Sequence, residues 1–87
     1  MSNHDDLGAA KHAIGREIAA QRTRRSWTQN DLAEFSGVSK RQVGKIERGE
    51  AGQLDEVLAI ANALGISFAK LFADAEAEVK AAEGRRA

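Results

Sequence analysis

At 87 residues the chain has room for one modest hydrophobic core, close to the smallest size at which a domain folds without covalent staples. It contains no cysteine, which excludes disulfides and cysteine-ligated metals, and no proline, which with its many alanines favours an all-helical chain. Thirteen basic and thirteen acidic residues leave a formal net charge of zero, so any attraction to a polyanion must come from how the charges are distributed.

No apolar run approaches the length of a membrane span, and Met1-Ser2-Asn3-His4-Asp5-Asp6 has none of the features of a signal peptide, so a cytoplasmic protein without membrane contact is expected. His4 and His12 lie eight residues apart near the N-terminus and are expected to be solvated surface residues, with no metal and no cofactor.

Periodicity and caps divide the chain into five helices. Residues 1–8 are expected to be a disordered arm. A first helix is predicted over Ala9–Arg24, with Ile14, Ile18 and the stem of Arg22 recurring on one face. Trp27 precedes Thr28 and is expected to cover the core, and Thr28 is a good N-cap for a second helix over Gln29–Ser36 carrying Leu32, Ala33 and Phe35 on its apolar side. Gly37 breaks that helix where a left-handed residue is needed. Ser39 caps a third helix over Lys40–Arg48, whose inward residues are Val43 and Ile46. A loop over Gly49–Gln53 leads to a fourth helix over Leu54–Leu64, with Leu54, Val57, Leu58, Ala61 and Leu64 as its expected core stripe and Gly65 as its stop. Ser67 caps a short fifth helix with Phe68, Leu71 and Phe72. The tail 73–87 either prolongs it, with Ala75, Val79 and Ala82 on one side, or frays. The domain proper is thus placed at 9–72.

The second and third helices form a unit. Ala33 lets them approach, Gly37 turns the chain, and Val43 and Ile46 lock the third helix on the second. The outward face of the third helix is then Lys40, Arg41, Gly44, Lys45 and Arg48, and a protruding helix with a basic outer face fits the major groove of DNA. The charge distribution agrees. From Lys11 to Arg48 nine basic residues face four acidic ones, whereas from Glu50 to Glu83 seven acidic residues face two lysines. The chain is basic over the two-helix unit and acidic behind it, a polarity that orients a protein on a polyanion.

The stretch Thr28–Glu47 resembles the helix-turn-helix of the lambdoid Cro/repressor family. The resemblance extends to Ile14-Gly15-Arg16-Glu17-Ile18 for the first helix, Ser26-Trp27-Thr28-Gln29 before the second, Ile46-Glu47-Arg48-Gly49 after the third, and Leu58–Ser67 with Leu71-Phe72 for the last two. It implies an all-α, compact five-helix lambda-repressor-like DNA-binding domain with the helix-turn-helix at helices two and three. It also implies that Gln29 touches the DNA backbone and that Glu47 pairs with Arg22. Removing either partner of a buried pair would be costly, so Arg22 and Glu47 join Ala33, Gly37, Val43 and Ile46 as structural residues.

Base contacts are expected from Lys40 and Arg41, which suit the O6 and N7 acceptors of guanine, from Lys45 one turn on, and from Gln42, which reaches either a base or a phosphate. Gly44 is either a point of close approach to DNA or a position without a role. Phosphate contacts are expected from Gln29, Asn30, Ser39, Arg48 and, besides its pairing, Arg22; Gln29 also suits a local cap. Some family members carry a basic minor-groove residue where this chain has Asp55-Glu56, so that contact is not expected here.

The expected function is a sequence-specific transcriptional regulator, a repressor by preference, that reads a palindromic operator in double-stranded DNA as a homodimer. The alternative is an antitoxin-type or other interaction module on the same fold, binding a partner protein such as a toxin or another regulator. No nucleophile–base pair, carboxylate pair or phosphate-binding glycine loop is present to suggest an enzyme.

Overall fold

The computed structural model describes residues 4–50 and 52–86. Met1–Asn3 of the expected arm, Ala51 of the expected loop and Ala87 of the tail lie outside them. Five α-helices follow in order: α1 (His4–Arg24), α2 (Gln29–Ser36), α3 (Lys40–Glu47), α4 (Leu54–Leu64) and α5 (Phe68–Arg86).

Local chemistry sets the interior boundaries. Thr28 Oγ1 accepts from the Asp31 N–H at 3.0 Å while Asp31 Oδ2 accepts from the Thr28 N–H at 2.9 Å, a reciprocal cap that starts α2. Gly37 ends α2 at φ 79°, with its N–H on the Ala33 carbonyl. Two residues later Ser39 Oγ accepts from the Gln42 N–H at 3.1 Å and starts α3. Ser67 starts α5 in the same way, through the Lys70 N–H at 2.9 Å.

The core is built from Ile18, Leu32, Val38, Val43, Ile46, Val57, Ile60, Ala61, Leu64 and Leu71, with Ile14, Trp27, Ala33, Ile66 and Phe68 packed at its edge. Full burial of a large aliphatic side chain contributes about 1.5–3 kcal/mol, so Ile18, Leu32, Ile60 and Leu71, all fully buried, dominate it. α1 crosses the C-terminal end of α3 closely. A Cβ on Gly15 would stand 2.5 Å from the carbonyl oxygens of both Ile46 and Glu47, so only glycine fits between these backbones.

The structure departs from the sequence reading in three places. Helix α1 begins at His4, so the expected disordered arm is helical from there on, and the chain passes through Gly8 without a break. Of the two alternatives for the tail the structure takes the helical one, and the departure is at the expected domain boundary of 72: α5 is continuous to Arg86 and lies chiefly against α1, with Ala75 buried and Arg16 Nε donating to Glu78 Oε1. The tail is therefore the second half of a core-covering helix rather than an appendage.

The third departure is the phase of α4. Its inward face is Val57, Ile60, Ala61 and Leu64, whereas Leu58 sits about 100° round from Val57 and Leu54 stands on the open first turn. Both are exposed, as is Phe35 of α2, whose ring instead lies 4.6 Å from that of Trp27.

Candidate nucleic-acid interface

The interface is organised by an ion pair beneath it. Arg22, near the end of α1, donates from Nε to Glu47 Oε2 at 2.7 Å and from Nη2 to Oε1 at 3.1 Å, and its Nη1 reaches the Trp27 carbonyl at 2.8 Å. Only 17% of the arginine side chain and 7% of the glutamate side chain are exposed. The hydrogen bonds to Glu47 raise the Arg22 pKa above its already high normal value, so the guanidinium is permanently charged. The expected Arg22–Glu47 pair is thus present. It ties α1 to the end of α3, and with three donors engaged Arg22 is a clamp before it is a phosphate ligand.

Gln29, the first residue of α2, extends the network. Its Nε2 donates to Glu47 Oε1 at 3.1 Å, so α2 is tied to the same carboxylate. Because the Asp31 N–H is taken by Thr28, the N–H groups left at the start of α2 are those of Gln29 and Asn30, and neither has an acceptor among the described residues. Unpaired N–H groups at a helix N-terminus are the usual receptor for a phosphate oxygen. The Asn30 side chain lies 3.5 Å from Glu34 on the exposed side of α2.

On α3, Lys40 and Arg41 are exposed and form no ion pair among the described residues. Placing two cations at the positive end of a helix opposes its dipole, a small cost that an external anion would remove. Lys45, one turn on, is half-buried. Ser39 is occupied as the cap of α3. Val43 and Ile46 are buried beneath these residues, which fixes the helix against rotation.

Two side chains at the edges of α3 have protein partners that the sequence did not suggest. Arg48 Nε donates to Glu50 Oε2 at 2.8 Å across an exposed surface, and this holds the Glu50 carboxyl below the usual range. Gln42 Nε2 donates to Glu56 Oε1 of α4 at 2.9 Å. Gly44, expected at the DNA surface, is buried instead. A Cβ there would meet Arg48 Nη1 at 3.2 Å and Gln29 Oε1 at 3.7 Å, so its missing side chain makes room for the protein's own residues.

Sequence reasoning also missed Arg25, counted only as charge. Its Nη1 donates to the carbonyl and side-chain oxygens of Gln21, and its Nη2 donates to the Leu64 carbonyl at 2.6 Å, capping the end of α4. The guanidinium carbon lies 5.8 Å from the Trp27 ring centroid.

A second surface lies between α1 and α5. Ala10 and Ile14 of α1 face Ala69, Phe72, Ala73 and Val79 of α5 across an apolar groove. Among the described residues no single helix is long and apolar enough to cross a membrane, and no three His, Asp or Glu side chains gather as a metal site.

A helix-turn-helix family profile matches residues 18–71, and the chain belongs to this family of DNA-binding regulators. It is 38% identical over 64 residues to the competence pilus inhibition repressor of Acinetobacter baylyi, a match that takes in 72% of this chain and 58% of that protein. The chain thus spans little more than half the length of that relative. The clp gene regulator ClgR of Corynebacterium glutamicum superposes with a TM-score of 0.79 at 27% identity, over 88% of this chain and 83% of the other. An HTH_3 family transcriptional regulator from Vibrio cholerae superposes with a TM-score of 0.71 at 32% identity, over 78% of this chain and 39% of its own.

Proposed function

We propose that the protein is a sequence-specific transcriptional repressor that lays α3 in the major groove of a palindromic operator and binds as a homodimer in the cytoplasm. The observation that carries this reading is the pairing of an immobilised inner face with an unneutralised outer one. Val43, Ile46 and Glu47 lock α3 to the body of the protein, while Lys40 and Arg41 project from it with no ion pair among the described residues.

In this reading Lys40, Arg41 and Lys45 read base edges, guanine acceptors foremost, and Gln42 joins them from the side facing α4. The backbone N–H groups of Gln29 and Asn30, the Ser39 hydroxyl and Arg48 hold phosphates, and Arg48 exchanges Glu50 for DNA as it binds. Gly44 supports this surface from within by leaving space for Gln29 and Arg48. No catalytic step is assigned to the protein.

A single module contacts too few base pairs for operator-grade affinity, so two copies are needed on half-sites about 34–36 Å apart. The apolar groove between α1 and α5 is the proposed seam, because it lies off the α2–α3 surface and leaves both reading helices free. The same groove is the observation that favours the second reading, an interaction module occupied by a partner protein such as a toxin.

Selection from a randomised duplex pool, followed by anisotropy titration at several salt concentrations, tests the first reading. It predicts enrichment of a two-fold symmetric site and a log–log salt slope of several units. Failure to enrich any site would favour the interaction module.

A further inference from the structure

The geometry points to Glu56 as a positioning residue that fixes which end of the Gln42 amide faces the DNA, and so gives α3 a preference for adenine at one base pair. This rests on the reading of α3 as the groove-binding helix.

A glutamine amide carries a donor end and an acceptor end, and a free side chain presents either by rotating. Gln42 does not have that choice. Its Nε2 donates to Glu56 Oε1 at 2.9 Å in a half-buried contact between the first turns of α3 and α4. An ionised carboxylate has no proton to give, so it engages only the NH2 end of the amide. The backbone is held as well, because the Gln42 N–H is committed to Ser39 Oγ and the Glu56 N–H to Asp55 Oδ1.

What remains for a ligand is specific. Among the described residues nothing donates to Gln42 Oε1, and one of the two Nε2 hydrogens is unused. An acceptor and a donor side by side match the N6 amino group and N7 of adenine, whereas guanine offers two acceptors along the same edge. The neighbouring Lys40 and Arg41, donors only, suit guanine. Glu56 therefore gives the helix a second kind of base reader. Its negative charge also stands near the rim of a surface meant for phosphates, where it lowers affinity for every sequence.

The two effects separate in one experiment. Duplexes enriched by the wild-type chain from a randomised pool would be varied one base pair at a time and titrated against Gln42→Ala, Glu56→Ala and Glu56→Gln. Gln42→Ala should abolish an adenine preference at a single half-site position. Glu56→Ala should reduce that same preference by about tenfold while binding all duplexes as well as or better than the wild type, since a negative charge has gone. Glu56→Gln, whose amide oxygen still accepts, should recover most of the preference. The inference is overturned if Glu56→Ala shifts affinity for all duplexes equally and leaves the adenine preference intact. It is also overturned if Gln42→Ala changes no position, and in that case loss of guanine preference in Arg41→Ala still upholds α3 as the reading helix. If no duplex is enriched, the reading of α3 as the groove-binding helix falls and this inference falls with it.

Discussion

Replacing Glu47 with alanine would strand the Arg22 guanidinium beneath α3. The substitution removes both hydrogen bonds to Arg22, at 2.7 and 3.1 Å, and the one from Gln29, at 3.1 Å, from a site where only 7% of the glutamate side chain is exposed. Breaking a buried pair costs roughly 3–5 kcal/mol because the remaining charge is uncompensated. Here Arg22 keeps the Trp27 carbonyl and 17% of its own exposure, which places the expected loss at the lower end, about 3 kcal/mol.

For a domain of this size each kcal/mol lowers the melting temperature by roughly 4–8 °C, so a fall of about 12–24 °C is expected by circular dichroism at 222 nm. Glu47→Gln, which keeps an acceptor but loses the charge, should fall between the two. The double change Arg22→Leu with Glu47→Leu should recover much of the loss, because it leaves no charge stranded. A Glu47→Ala melting temperature within a few degrees of the wild type would refute the account of Arg22–Glu47 as the tie between α1 and α3.

Gly15→Ala should destabilise by at least the 1–3 kcal/mol of an overpacked core, since its Cβ would collide with two backbone carbonyls rather than a flexible side chain; urea unfolding measures it. Gly44→Ala should have the opposite sign, because the mobile end of Arg48 yields at 3.2 Å and a helix interior gains roughly 0.5–1 kcal/mol from the exchange; a lowered urea midpoint would contradict this. Phe72→Glu, at a residue 41% exposed beside the α1–α5 groove, should shift sedimentation toward monomer while leaving the melting temperature within a few degrees, and an undiminished dimer would move the seam elsewhere. A point change is the cleaner probe there, because cutting the chain after Ala73 would also remove the buried Ala75.

The parts of the fold set by short-range chemistry were legible in the sequence. Thr28 and Ser39 act as caps because an oxygen three residues before an orphan N–H satisfies it wherever it occurs, and Gly37 turns the chain because its backbone needs positive φ. The pairing of Arg22 with Glu47 was reached through a family resemblance, not through spacing.

What the sequence concealed depends on how helices meet. Ile60 and Leu58 are equally apolar, and only the rotation of α4 against α2 and α1 buries one and exposes the other. Gly15 lies within the pattern that suggested the first helix, yet its role appears only where α3 crosses it. The tail looked optional because alanine and glutamate favour helix without declaring a partner, and its packing on α1 comes from Ala75, Val79 and the Arg16–Glu78 pair together. In the same way Gln42 and Glu56 are separated by fourteen positions and by a loop, so no local pattern links them.

The most direct test of the central claim is the binding of Arg41→Ala to the enriched duplex and to a random duplex of equal length at matched salt. Arg41 is exposed at the start of α3 with no ion pair among the described residues, so its loss should leave the fold unchanged. If α3 reads bases, affinity for the enriched duplex falls by about 1–3 kcal/mol, affinity for the random duplex falls far less, and preference at one guanine position relaxes. Equal losses on both duplexes would show a phosphate contact only, and no loss on either would contradict the placement of α3 in the groove.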